Sequence, residues 1–442
     1  MPNSIFFTYL GEKLSGMKVT YSFDKINPFG GLSFVNEILC NKGVYQLIDQ
    51  HLGPRGAQAQ YTYSGIIKAL WMATFSGGDC AEDLTKHLRP YLSELKGFDV
   101  PGADTVLRVQ KDLSTEKEVF VPPSGIGHEF NINENMNRLM VKLLVHLGQL
   151  SPANKELTFD YDNQFISNDK YDSKRSYRHA DGYFPGIASI NNMPVYFENR
   201  NGNSNVKFKQ EETLTRAYNL LKEFGIPVKR SRMDCGSFSK EIVQVVEAHS
   251  EWFYIRAMRC DDLFSKIQEV KDWGTVEIGF KQYEVASIEY APFGQDKTYR
   301  YVISREENAD GQGSLFTGDH YLYRAIMTND REMTDLEVIL FYNARGQSER
   351  LFDEMNNDFN WNKLPFSFLH ENTVFMIIMA MCRNIFHFLT EFISKKVDFV
   401  KPAYRLKKFI FRFIIVPAKW IKHARENVLK LFTAKPYHLV LQ

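Results

Sequence analysis

Cysteine is scarce in this chain, and none of it falls in a motif. The five cysteines (Cys40, Cys80, Cys235, Cys260 and Cys382) are odd in number, widely spaced and free of any C-x-x-C pair. That excludes a disulfide framework and a cysteine-based zinc site, and it fits a reducing cytoplasm. No charge of either sign is in excess: 54 Lys and Arg stand against 53 Asp and Glu, so overall charge points to no partner. The opening MPNSIFFTYLGEKLSGMK has no basic start followed by a long apolar run and a small-residue cleavage site, so no signal peptide is expected. Long apolar runs are missing too. The C-terminal stretch Val374–Cys382 is cut by Arg383 well short of the ~20 residues a membrane span needs, so it reads as a buried helix, with no membrane partner. No Walker A loop, no G-x-G-x-x-G and no internal repeat occurs.

A chain of 442 residues is too long for one simple core and fits two or three domains. Residues 1–150 read mostly helical: YSGIIKALWMATFSGG and ENMNRLMVKLLVHLGQL have apolar residues at helical spacing. From Leu157 the texture changes. LTFDYDNQFI, GYFPGIASINN and MPVYFENRNGN read as strands, the last two joined by an Asn-Asn turn. QEETLTRAYNLLKEFG is a helix with Gly225 beyond its end. VKRSRMD (strand), SFSKEIVQVVEAHS (helix) and EWFYIRAM (strand) follow. Residues about 261–325 read as a small all-β insertion. Thr334 and Glu337 then make a capping box for a helix running through YNARGQSERLFDEM. On it Tyr342, Arg345 and Glu349 would fall within roughly 60° of one another.

Three acids stand out in this layout. Asp162, with Asp160 two residues before it, lies on the first strand. Asp234 ends the strand VKRSRMD, where a turn through Cys235-Gly236-Ser237 puts it at the rim of a sheet, the usual place for a site in α/β folds. Glu349 lies on the late helix.

Here the sequence resembles the DDE transposases of bacterial insertion sequences, the cut-and-paste type. FDYDNQF resembles their first D motif, RMDCGSFS their second, and YNARGQSE matches their Y-x2-R-x3-E signature in full. The resemblance spans roughly Leu157 to Phe386. It implies an α/β fold: an RNase H-like catalytic core with an all-β insertion, plus a helical N-terminal domain and a helical basic C-terminal segment. The expected layout is 1–150, 151–394 with the insertion at about 261–325, and 395–442. It also implies Asp162, Asp234 and Glu349 as catalytic metal ligands, with Tyr342, Arg345 and Asn356 against DNA phosphate. The family often has Lys at the position of Asn356, and D-G-T or D-A-T where this chain has Asp162-Asn163-Gln164. Asp160 and Asp162 point the same way from a strand. Asp162 is the chosen ligand because it directly precedes the dipeptide.

The chemistry suits three carboxylates. In-line phosphodiester cleavage needs an activated water and a stabilised leaving oxygen, and two Mg2+ ions about 3.5–4 Å apart can supply both. Mg2+ takes hard oxygen ligands, and Mn2+ can replace it. A guanidinium beside Glu349 suits bidentate phosphate binding. Set against this, each acid alone reads as a solvated residue, and Arg345 with Glu349 as an ordinary i,i+4 pair.

The tail adds a second signal. From Lys395 to Lys430 eleven Lys and Arg face two Asp and Glu, with six aromatics interleaved. That is a fair nucleic-acid footprint, with Lys401, Arg405, Lys407, Lys408 and Arg412 as candidate contacts; a solvated amphipathic helix pair and a membrane-surface helix are the competing readings. The resemblance implies a transposase that cleaves the ends of an insertion element and joins the 3′-OH to target DNA. Its partners would be double-stranded DNA (terminal inverted repeats and target) and a second copy in a homodimer on DNA, in the bacterial nucleoid. The alternatives are an RNase H-like nuclease without strand transfer, an inactive DNA-binding protein derived from a transposase, and a two-carboxylate hydrolase of another class.

Overall fold

The computed structural model describes residues 21–123, 125–294, 296–307 and 321–442. The stretch read for a leader, and part of the 261–325 block, fall outside the described residues.

The described residues open with helices α1 (Gly31–Asn41), α2 (Val44–Leu52), α3 (Tyr63–Phe75), α4 (Arg89–Leu92) and α5 (Ala103–Asp112). Within this stretch, read as helical, two strands then appear, β1 (Glu118–Phe120) and β2 (His128–Ile132), before α6 (Glu134–His146). Next come β3 (Thr158–Asn163), β4 (Ile166–Ser167), β5 (Lys174–Arg175), β6 (Asp181–Tyr183), β7 (Gly186–Ile190) and β8 (Met193–Arg200). α7 (Gln210–Glu223), β9 (Arg230–Met233), α8 (Lys240–His249) and β10 (Trp252–Arg256) follow in the expected order. The expected turn between β7 and β8 is there, with Asn191 at φ 48° and Asn192 at φ 67°, left-handed positions that asparagine tolerates.

The block at 261–325 opens with a helix, α9 (Asp261–Gln268), and so is not all-β; then come β11 (Gly274–Ile278), β12 (Lys281–Tyr290), β13 (Tyr299–Glu307) and β14 (Tyr321–Thr328). Leu263 and Ile267, four apart, are its buried face, a helical spacing that the neighbouring alternation obscured. The chain continues through α10 (Asp335–Asn343), α11 (Gln347–Asn357) and α12 (Leu369–Ser394). The Thr334/Glu337 capping box starts α10 as expected.

Eleven strands form one sheet in the order β1-β2-β8-β7-β3-β9-β10-β14-β13-β12-β11. β3 runs antiparallel to β7 and parallel to β9, β7 antiparallel to β8, and β9 parallel to β10. β14 returns antiparallel on β10 and opens the meander. Residues on β3 and β7 divide by parity. Phe159, Tyr161 and Ala188 join the core under α7 and α8, while Ile187 joins the core that holds α3, α6 and α12. α12 is 26 residues long and apolar enough to cross a membrane, but 94% of its most apolar window is buried inside the fold. The indole N–H groups of Trp71 and Trp361 donate to its carbonyls at Ile378 and Met376 (3.1 and 3.0 Å).

The C-terminal segment departs from expectation. It makes one short helix, α13 (Leu406–Phe409), a π turn at Ile410–Ile414, and then a β-hairpin of β15 (Ala418–His423) and β16 (Glu426–Leu431). Trp420 pairs with Leu429 and Ile421 with Val428 across the hairpin; the basic, aromatic-rich sequence before it suggested a helix. Phe409, Phe413, Val416 and Tyr437 are buried in the same core as α1 and α12, and Asn27 exchanges backbone hydrogen bonds with Ala418 (2.8 Å each).

Candidate active site

The site is set by the register of three neighbouring strands. Asp160 of β3 lies beside Arg232 of β9, and Tyr161 beside Met233; Ile255 of β10 lies beside Met233 on the other side. One step further along β3 and β9 come Asp162 and Asp234, side by side at the C-terminal rim. Strand residues alternate faces, so Asp160 and Asp162 share the face covered by α10. Asp234 is extended (φ −79°, ψ −179°) and leads into a 3-10 turn at Cys235–Ser237. The Ser237 hydroxyl donates to Asp234 Oδ1 (3.4 Å).

The two first-strand aspartates have different fates. Asp160 is buried and held bidentately by Arg232, Nε to Oδ1 and Nη2 to Oδ2, both 2.7 Å. Arg232 also donates from Nη1 to the Phe341 carbonyl (2.7 Å). The Tyr342 hydroxyl donates to the Met233 carbonyl (3.1 Å). These two ties pin the end of α10 over β9, and both spend donors that a phosphate clamp would need. Tyr342 was expected as such a clamp; it is buried, with its hydroxyl on a main-chain carbonyl.

Beyond α10 the expected continuous helix breaks into a 3-10 turn, Ala344–Gly346. A 3-10 turn eclipses side chains three residues apart, so Tyr342 and Arg345 stay on one side; Tyr342 is buried, Arg345 half-buried and Glu349 exposed. Arg345 turns inward, with Nη2 2.8 Å from Asp162 Oδ2. Asp162 Oδ1 accepts the Asn163 N–H (2.9 Å). Burial pushes the Asp162 carboxyl up to about 6; Arg345 pulls it down, and the like charge of Asp234 adds to the rise. Glu349 lies exposed in the first turn of α11. Among the described residues, the cluster of acids and cysteines tight enough to share an ion is Asp79, Cys80 and Asp83; Asp162, Asp234 and Glu349 are not drawn together that closely. Carboxylates crowded to ligand distance repel one another, and the chain by itself keeps Glu349 apart. The Asp79 cluster is occupied otherwise: Asp79 is ion-paired to Lys363, and Asp83 Oδ2 accepts the Asp79 N–H (3.0 Å).

Asn356 is half-buried, with its Oδ1 enclosed and unpartnered among the described residues. In the tail, Lys401, Lys407, Lys408 and Arg412 are exposed. Arg405 is not available in the same way: it bonds Asp358 through Nε and Asp353 through Nη1, both 2.6 Å.

Sequence reasoning missed the support of α11. Glu354 is buried and takes Arg383 Nη2 at 2.8 Å, Arg350 Nε at 3.1 Å and His387 Nε2 at 3.2 Å. Arg383 Nη1 reaches the Asn192 carbonyl (2.8 Å). The group ties the helix of Glu349 to α12 and to the β7–β8 turn. Its signal was in the sequence: a lone arginine inside an apolar run needs a buried acid.

Residues 12–442 match the family model described as Transposase DDE domain group 1. That is nearly the whole chain, and the protein belongs to this family of DDE transposases. DDE transposases act on DNA and generally use divalent metal ions. Among solved structures, one that matches is the cryo-EM structure of a piggyBac transposase synaptic complex with hairpin DNA. Its TM-score is 0.43 at 10% identity, covering 87% of this chain and 79% of that one; no residue correspondence is drawn from it. A search of curated proteins gives no match.

Proposed function

We propose that this transposase cleaves the ends of its own element and joins the freed 3′-OH to target DNA, using Asp162, Asp234 and Glu349. The observation that carries the reading is the adjacency of Asp162 and Asp234 on neighbouring strand ends, with the signature Arg345 folded onto Asp162. Strand order supports an RNase H-like core. β3, β7 and β8 form an antiparallel meander, and β9 and β10 add in parallel on the other side of β3.

The donor set fits Mg2+ or Mn2+: carboxylate oxygens only, in a site where burial and like charge both call for a cation. Asp162 and Asp234 would hold the ions, with Glu349 brought in from α11. Bound there, the metal lowers the pKa of water and stabilises the leaving oxygen. The chain's own part is positioning. Asp160–Arg232 fixes β3 against β9, Tyr342 fixes α10, and Glu354 fixes α11. Arg345, released from Asp162, is the planar donor for a substrate phosphate. Double-stranded DNA, as inverted repeats and target, and a homodimer on that DNA complete the reading.

The test uses DNA carrying the inverted repeats that flank the gene. Glu349→Gln keeps size and hydrogen bonding but removes charge. Loss of both cleavage and strand transfer, with end binding and melting temperature kept, is the expected result. A variant that cuts like the parent would remove Glu349 from the site. Cleavage by the parent without joining would favour a nuclease.

A further inference from the structure

The register that pairs Asp162 with Asp234 continues one strand further. Ile255 lies beside Met233, so Arg256 of β10 is the next residue along the rim after Asp234. On its other side Arg256 lies opposite Ile326 of β14. Arg324, two residues before Ile326, stands on the same face, diagonal to Arg256, a spacing of about 7–8 Å between Cα atoms. Arg259 follows three residues after Arg256. Strand neighbours are about 4.8 Å apart, so Asp162, Asp234 and Arg256 span roughly 10 Å along one edge.

Arg256 is half-buried, and its side chain has no hydrogen bond or ion pair with a described residue. Comparable arginines around it do: Arg230 meets Glu156, Arg232 meets Asp160, Arg300 meets Asp335 and Arg345 meets Asp162. Burial and the charges of Arg324 and Arg259 hold Arg256 below its usual range. Arg324 has Glu306 at 3.2 Å, but Glu306 is shared with Lys281, so the group stays positive. A half-buried guanidinium facing like charges is costly, and it is retained where an anion arrives.

We infer that Arg256, Arg259 and Arg324 form a phosphate-binding site beside the carboxylates, gripping the backbone of the DNA strand that runs past the Asp234 end of the sheet. The inference rests on the transposase reading above. A strand with one phosphate at Asp162 and Asp234 carries others every ~3.4 Å of helix axis, so a following phosphate falls within reach of Arg256. Guanidinium groups suit bidentate contact with phosphate oxygens.

The experiment is a salt titration of binding to a short mixed-sequence DNA duplex. It compares the parent, an Arg256→Gln/Arg259→Gln double variant, and a Lys266→Gln/Lys271→Gln double variant that removes equal charge from an exposed stretch nearby. The arginine variant should bind more weakly, with a log–log salt slope shallower by about 1 to 2, and its melting temperature should hold or rise because like-charge repulsion is relieved. The lysine variant should keep the parent's slope. Equal slopes for parent and arginine variant, or an equal loss in the lysine variant, would overturn the site, as would a fall in melting temperature with unchanged binding. A parent that binds no duplex at any salt would overturn the DNA reading itself, and this site with it.

Discussion

Replacing Asp160 by asparagine removes one charge from a bidentate pair with little access to water: the side chains of Arg232 and Asp160 are 7% and 6% exposed. Breaking a buried ion pair by removing one partner leaves the other charge desolvated and costs about 3–5 kcal/mol. Arg232 keeps its bond to the Phe341 carbonyl, so the lower end is expected, about 3 kcal/mol, or a fall in melting temperature on the order of 5 °C. Asp162→Asn should behave differently. Its carboxylate already opposes burial and the charge of Asp234, so removing the charge relieves a cost while it strips Arg345 of its partner. The two effects oppose, and a change within about 1 kcal/mol of zero is expected. Function ranks the other way: Asp162→Asn should abolish metal-dependent cleavage, and Asp160→Asn should retain it well below its melting temperature. Urea unfolding with cleavage assays on the same preparations measures both. A fully stable Asp160→Asn that fails to cleave, beside an active Asp162→Asn, would refute the assignment.

Three other outcomes are expected. Arg345→Lys keeps charge but loses the planar fork, so cleavage should fall severely while melting temperature changes little; unimpaired cleavage would make Arg345 a structural ion-pair partner. The triple change Lys407→Gln/Lys408→Gln/Arg412→Gln on the exposed tail should flatten the salt dependence of DNA binding without unfolding, whereas deletion after about Phe399 should unfold the protein because the tail is part of the main core. The Glu354 carboxyl is lowered to about 2: burial opposes ionisation, but His387 and Arg383 outweigh it. Its folded value lies below its unfolded one, so its stabilising contribution is present at neutral pH and is lost between about pH 4.5 and 2. Glu354→Gln should lower stability at pH 7 and flatten the loss in acid; parallel pH–stability curves would remove Glu354 from this role.

The order of strands and helices from Leu157 to Arg256 was legible because each element has a clean period and a turn residue at its end, such as Asn191-Asn192 and Gly225. The adjacency of Asp162 and Asp234 was legible only as an expectation at a strand end, since register depends on pairing partners far along the chain. Local signals failed where tertiary contacts chose the backbone. Arg345 meets Asp162, a partner far along the chain that no local spacing names. The Tyr342 hydroxyl donates to the Met233 carbonyl, 109 residues away in sequence, a contact that no local pattern shows. The tail's aromatics suggested a helix; Phe409 and Phe413 are core residues under α12, and the strand period begins only at Ala418.

The charges at the rim have a common logic. Two aspartates stand side by side, and one arginine from the signature helix partly neutralises them. Next along the edge, Arg256 has no carboxylate partner among the described residues, and Arg324 shares Glu306 with Lys281. Neither half is electrostatically satisfied, and the imbalance is opposite in sign: the Asp162–Asp234 half needs cations, and the Arg256–Arg324 half needs anions. A phosphodiester accompanied by divalent metal answers both at once, with metal on the carboxylates and phosphate oxygens on the guanidinium groups. Arg345 belongs to both halves. Arg345 is paired with Asp162; on the proposed reading, metal held by that carboxylate would free its guanidinium for phosphate. On that reading metal and DNA would favour each other's binding through one side chain, since each would remove a competitor for Arg345 or Asp162.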